Sequence, residues 1–255
     1  MRARLGVMTA ALALAFAGAA VPTPSVAAGP AVRPRDISLP SGVHQLITVT
    51  SSGWSSTRAT LYAWRKRSDG WHRVRCPVTV RLGWNGFARG YKRKQGSGTT
   101  PAGKFKLPRA FGNRVDPGTR LRYRHVDGND VWPYEPRDPA TYNILQPFQS
   151  STSHWRGDYK ERLASYGRQY AYAVVIGFNL PTGVHWSEQR KQWVATDRAH
   201  TGRGGGIFLH VQHTRYTAGC VAGPLSDIRA LTRWLDPSLH PRIVMGPADW
   251  VKKTY

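Results

Sequence analysis

Two short apolar runs set the first constraint on the fold. Tyr172–Phe178 (YAVVIGF) and Ile207–Val211 (IFLHV) carry apolar residues on both faces, the pattern of strands covered on both sides of a sheet. Such strands need neighbours, and the chain supplies them. Thr57–Trp64, the turn Ser68-Asp69-Gly70 and Trp71–Leu82 read as a β-hairpin around an Asp-Gly turn. In its second arm Val74, Cys76, Val78, Val80 and Leu82 alternate onto one face, which places Cys76 in the core as an inert thiol. Pro77 has no N–H, so this arm is an edge strand or is interrupted there. Ile243–Met245 reads as a last strand. Helical signals are fewer. Asp158–Tyr170 has a capping candidate and apolar Leu163, Tyr166 and Tyr170, while Ser226–Leu235 has Ser226 as N-cap and Asp236-Pro237 as its stop. The Pro-, Asn- and Asp-rich stretch Gly112–Ser153 reads as a long ordered loop suited to a cleft, with Trp132, Tyr134 and Tyr142 as core aromatics. The expected class is mainly β with a few helices (α+β), in one domain over residues 42–255.

Composition narrows the setting. The chain has 255 residues, 37 Lys+Arg against 14 Asp+Glu, and a net charge of +23. High charge with few aromatics would suggest disorder, but 10 Trp, 11 Tyr and 7 Phe argue for a packed core. Arg2 and Arg4, a small-residue apolar run over Gly6–Val21, and Val26-Ala27-Ala28 form the layout of a secretory signal peptide over residues 1–28. Residues 29–41, with Pro30, Pro34 and Pro40, read as a short leader. Export turns the basic charge toward an anionic cell-wall polymer and away from nucleic acid. The expectation is a secreted, wall-associated monomer.

Only two cysteines are present, which excludes a disulfide-dense scaffold. Cys220 closes Thr217-Ala218-Gly219-Cys220, between a strand and a helix. Gly219 permits a tight turn there, and the N–H groups of Gly219 and Cys220 are candidate oxyanion donors. His210 ends the preceding strand and shares a face with Phe208 and Gln212, so a ten-residue loop can return Cys220 to its imidazole as the base. His213, in the loop, is a weaker candidate. Two alternatives stand beside this pair. A Cys76–Cys220 disulfide would staple a non-catalytic wall-binding module. His210, His213 and Cys220 could ligate a metal, although 210 and 213 face opposite sides of a straight strand and no zincin pattern is present. No metal or cofactor is expected. Gly202–Gly206 (GRGGG) reads as a hinge, and Lys92-Arg93-Lys94 as a solvated basic turn.

Three segments in order resemble the L,D-transpeptidase catalytic domain (YkuD-like) of secreted actinobacterial type. Gly96–Phe105 (GSGTTPAGKF) is similar to the family's G…TPxGxF segment, Tyr172–Asn179 (YAVVIGFN) to its buried strand, and Gly206–His210 with Thr217–Val221 to its HG…[ST]HGC[IV] signature. The resemblance spans roughly residues 40–247 and implies a mostly β, sandwich- or barrel-like fold. It also implies a cysteine nucleophile that attacks the L,D-amide of a peptidoglycan stem peptide, releases the terminal D-amino acid and passes the acyl group to an amine. Cys220 would be that nucleophile, His210 the base, Thr217 the signature hydroxyl, and Gly219 and Cys220 the oxyanion donors. Resolution of the same acyl-enzyme by water would instead give an L,D-carboxypeptidase. The chain departs from the pattern at Ala218 (usually His), Val211 (usually Gly) and Ala222 (often Arg). The missing Arg leaves Arg215 as a candidate for substrate carboxylate.

Overall fold

The computed structural model describes residues 31–147 and 154–255; the expected signal peptide lies outside the described residues. The chain lays down β1 (Gln45–Ser51), β2 (Arg58–Arg67), β3 (Gly70–Arg73), β4 (Val78–Arg81), β5 (Phe87–Arg89), β6 (Thr100–Lys106), β7 (Ala110–Gly112) and β8 (Tyr123–His125). The middle adds β9 (Asp130–Pro133), β10 (Gln146–Pro147), β11 (Lys160–Arg162), β12 (Ala173–Val175), β13 (Thr182–Ser187) and β14 (Gln192–Asp197). Then come β15 (Phe208–Val211), β16 (Val221–Gly223), helix α1 (Leu225–Trp234), β17 (Arg242–Pro247) and helix α2 (Ala248–Thr254). Strand outweighs helix, 37% to 18%, so the mainly β expectation holds.

The main sheet runs β5-β6-β17-β1-β2-β4-β16-β15-β12-β7-β8, with β3 beside β2. Phe87 of β5 and Ala102 of β6, at one end of this order, share a core with Val174 of β12 and Ala110 of β7 near the other end. The sheet therefore curls around one interior, and residues 107–109 connect β6 directly to β7. Ile207, Leu209 and Val211 point into that interior, whereas Phe208 faces a second cluster with Phe111, Trp132, Leu163, Tyr170 and Cys220. The two-sided burial expected of IFLHV is thus realised by two separate clusters. A small sheet, β10-β9-β11, contributes Trp132 to the second cluster, and β13-β14 forms a separate hairpin.

Four local expectations require correction. The hairpin arm after β3 is broken: Val74 N–H still donates to Ala63 C=O at 3.0 Å, and pairing resumes at Leu61↔Val78. One residue, Tyr62, separates those partners on β2, but Arg75, Cys76 and Pro77 separate them on the other strand. Those residues bulge outward around the proline that cannot donate, so Cys76 is exposed while Val78, Val80 and Leu82 stay buried. Asp158–Tyr170 is not one α-helix. Residues 160–162 pair with β9 instead, and the 3-10 segment Leu163–Tyr170 is kinked at Gly167 (φ 49°). The N-cap of helix α1 is Pro224, two residues before the expected Ser226, so Ser226 lies inside the first turn and makes no cap. The stretch read as a long loop contains β8, β9 and β10. The leader is also tied down: Val32 and Ile37 are buried with Leu46 and Val251.

Candidate active site

The parallel pair β15–β16 builds the site. Its register, Leu209↔Val221 and His210↔Ala222, sets the residue before Val221 opposite Phe208. The Phe208 N–H donates to Cys220 Sγ at 3.3 Å, and Sγ donates to the Gly206 carbonyl at 3.3 Å. His210 lies two residues beyond Phe208 on the same face, buried, with the Tyr170 ring edge-on at 5.4 Å. Cysteine and histidine are therefore carried on adjacent strands of one sheet face.

The histidine has a defined proton arrangement. Its Nδ1 lies 2.9 Å from the Val211 carbonyl oxygen. A carbonyl only accepts, so Nδ1 carries the hydrogen and the neutral ring keeps its lone pair on Nε2. Burial pushes the imidazole down to about 4, against the opposing effect of that hydrogen bond. Burial, and secondarily the Glu161 carboxylate, push the Cys220 thiol up to about 12, while the Phe208 N–H and Arg93 pull the other way. The resting pair is thus neutral thiol and neutral imidazole. Charge develops only when a substrate arrives.

The cysteine turn is held from inside by Thr217. Its Oγ1 donates to the Cys220 carbonyl at 2.7 Å and accepts the Gly219 N–H at 3.1 Å, a side-chain turn of the kind Ser and Thr favour. Gly219 therefore does not present a free N–H as expected, which leaves the Cys220 N–H as the remaining backbone candidate. Gly219 sits at φ 145°, and a Cβ there would come within 2.9 Å of the Thr99 carbonyl oxygen, so the turn has no room for a side chain. Thr100 Oγ1 accepts the Gly83 N–H and reaches the Cys220 carbonyl at 3.5 Å. The Thr-Pro segment thereby backs the cysteine turn.

A cleft of about 550 Å³ opens over the sulfur. Its walls include Trp84, Arg93, Tyr134, Glu161 and Gly204–Gly206. Arg93, expected in a solvated turn, is instead 5% exposed. It donates to the carbonyls of Thr99 (2.7 Å), Arg203 (2.6 Å) and Ala218 (3.4 Å), which ties three cleft loops together beside the thiol. GRGGG is likewise part of the wall rather than a hinge: Asn143 Oδ1 accepts the Gly206 N–H at 2.9 Å and the Trp132 indole N–H at 2.8 Å. Trp132 and Tyr142 are core as expected, whereas Tyr134 faces the cleft.

Not every residue expected at the site lines the cleft: His210 is buried on β15 and is not one of its wall residues. His213 and Arg215 are exposed in the loop outside the cleft wall, with the Arg215 guanidinium 5.7 Å over the Tyr216 ring. His213 consequently does not converge with His210 and Cys220 on a metal position, and among the described residues no cluster of three or more His, Cys, Asp or Glu is arranged to hold an ion. Both cysteines are free, Cys76 exposed and Cys220 buried, so the Cys76–Cys220 disulfide is overturned. Arg93 and Glu161 were missed because their meaning depends on distant partners. No known protein family, curated sequence or solved structure matches the chain.

Proposed function

We propose that the protein is a cysteine acyltransferase of L,D-transpeptidase type, acting on peptidoglycan stem peptides outside the cytoplasm. The observation that carries this reading is Cys220 in the cleft wall, directly before the strand that pairs with β15, and a buried His210 on β15 whose Nδ1 faces the Val211 carbonyl. His210 Nε2 takes the thiol proton as Cys220 Sγ attacks the donor amide carbon. The Cys220 N–H faces the developing oxyanion, and the imidazolium then protonates the leaving amine. A C–S bond forms, the C–N bond breaks, and the terminal amino acid departs with that proton. Arg93 supports the thiolate by charge and keeps the cysteine turn in place. An amine acceptor reverses these steps to form the new amide. The export signal and the +23 charge suit an anionic wall as the workplace.

The test is intact-mass and peptide mass spectrometry of the reduced protein after exposure to a stem tetrapeptide or a carbapenem. An acyl adduct on Cys220, absent in Cys220→Ala, is expected. A folded protein that forms no adduct overturns the reading. Product analysis then separates transfer to an amine from hydrolysis, the carboxypeptidase outcome.

A further inference from the structure

Two acids line the cleft and neither is used by the chemistry above: Asp158, which is exposed, and Glu161, whose charge is the one that acts on the Cys220 thiol. Glu161 sits in β11 opposite Trp132 and lines the cleft with Cys220. Its Oε2 accepts the Tyr170 hydroxyl at 2.5 Å, and the Tyr134 hydroxyl also bonds to the carboxyl. In a chain with 37 basic and 14 acidic residues, an acid without a basic neighbour is the exception. Among the described residues no Arg or Lys forms an ion pair with Glu161; the titratable groups around it are Tyr134, Tyr166, Tyr170 and Cys220. Across the cleft, Arg93 is committed to three backbone carbonyls. Glu161 and the sulfur flank the same residue: Sγ bonds to the Gly206 carbonyl, and Glu161 Oε1 lies 3.7 Å from where a Cβ on Gly206 would be. Gly206 has no side chain, so the carboxyl and the rings of Trp132 and Tyr134, each 3.8 Å from the same point, surround the space over this residue, and the Glu161 charge reaches the Cys220 thiol.

We propose that Glu161 is the acceptor subsite: it binds the primary ammonium of the acyl acceptor beside the Cys220 thioester. This rests on the acyl-enzyme reading. A desolvated carboxylate held by two phenols and lacking a cation is completed by an ammonium, which supplies the missing charge and donors. The carboxylate also takes the first proton, R–NH3+ becoming R–NH2. The amine lone pair forms the C–N bond, the C–S bond breaks with its electrons on sulfur, and the second N–H proton passes through His210 to the thiolate. Glu161 returns its proton to solvent. Burial lifts the Glu161 carboxyl to about 7, so it both binds the cation above that pH and is basic enough to accept the proton.

Two measurements test this separately from the acyl-enzyme reading. The first uses Cys220→Ala protein and needs no chemistry: calorimetric titration with a tripeptide carrying a free lysine ε-amine, and with the same peptide ε-acetylated. The free amine is expected to bind at least tenfold more tightly, and the difference to vanish in Cys220→Ala/Glu161→Gln and to shrink as pH falls below about 7. Equal affinity for both peptides in the Glu161 protein overturns the proposal, whether or not the double variant folds. The second follows acylated enzyme and reads the ratio of aminolysis to hydrolysis. Glu161→Gln should lower that ratio at least tenfold and Glu161→Asp should restore part of it. An unchanged ratio in folded Glu161→Gln overturns the proposal, while failure to acylate at all overturns only the reading beneath it.

Discussion

A buried thiol beside a neutral imidazole should be slow toward a small electrophile that cannot recruit the site. Cys220 is pushed up to about 12, against roughly 8.5 for an ordinary thiol. At pH 8 the thiolate fraction is then about 10⁻⁴ instead of about 0.2, a deficit of roughly 2,000-fold. A more basic thiolate is intrinsically more nucleophilic; with a Brønsted coefficient of about 0.45 over 3.5 units this returns about 40-fold. Iodoacetamide should therefore alkylate Cys220 about 50-fold more slowly than the cysteine of an unstructured, end-blocked peptide at pH 8, and 8% exposure of the residue slows it further. The assay is a mass-spectrometric time course on Cys76→Ser protein between pH 6.5 and 10. The rate should climb about tenfold per pH unit without levelling off. A plateau below pH 8, or a rate matching the reference thiol, would show a resting thiolate–imidazolium pair and refute the neutral ground state.

Three other outcomes follow from the same geometry. Thr217→Val removes both hydroxyl bonds of the cysteine turn; acylation of Cys220 should slow about 10- to 100-fold, equivalent to about 1–3 kcal/mol, with the midpoint of thermal unfolding little changed. Phe208 is fully buried, with Phe111 at 5.0 Å and Trp132 at 4.9 Å, so Phe208→Ala should cost about 3–5 kcal/mol in urea unfolding; a loss under 1 would contradict the packing. Glu135 is gripped by the Arg156 guanidinium through two 2.7 Å bonds, which hold its carboxyl down to about 2. Its unfolded value is near 4.3, so its contribution is complete above that pH and disappears as pH falls toward 2. Because Arg156 is 43% exposed, about 1 kcal/mol is at stake. Unfolding of Glu135→Gln should show a flatter acid limb than the parent protein.

Periodicity carried the strand assignments where burial was two-sided. YAVVIGF and IFLHV had to sit inside a sheet, and the alternation in IFLHV correctly divided Ile207, Leu209 and Val211 from Phe208 and His210. It failed at Cys76, where the pattern fits a strand but backbone pairing cannot pass Pro77, so the thiol that looked buried is exposed. It failed again over residues 158–170, where pairing of 160–162 with β9 outweighed a weak helical signal.

What the amino-acid order alone determined is the chemistry on offer: a cysteine in a Gly-containing turn, a histidine at the end of the strand before it, and a threonine three residues before the cysteine. These are local properties, written in neighbours along the chain. Which backbone N–H stays available, which arginine approaches the thiol and which acid shares its cleft were decided only by tertiary structure. Arg93 and Glu161 lie 127 and 59 residues before Cys220 in the sequence. Their proximity exists because the main sheet curls and β11 pairs with β9, and no periodicity within a short window encodes that closure. Burial sets the protonation states for the same reason: desolvation belongs to the assembled cleft, not to any one residue.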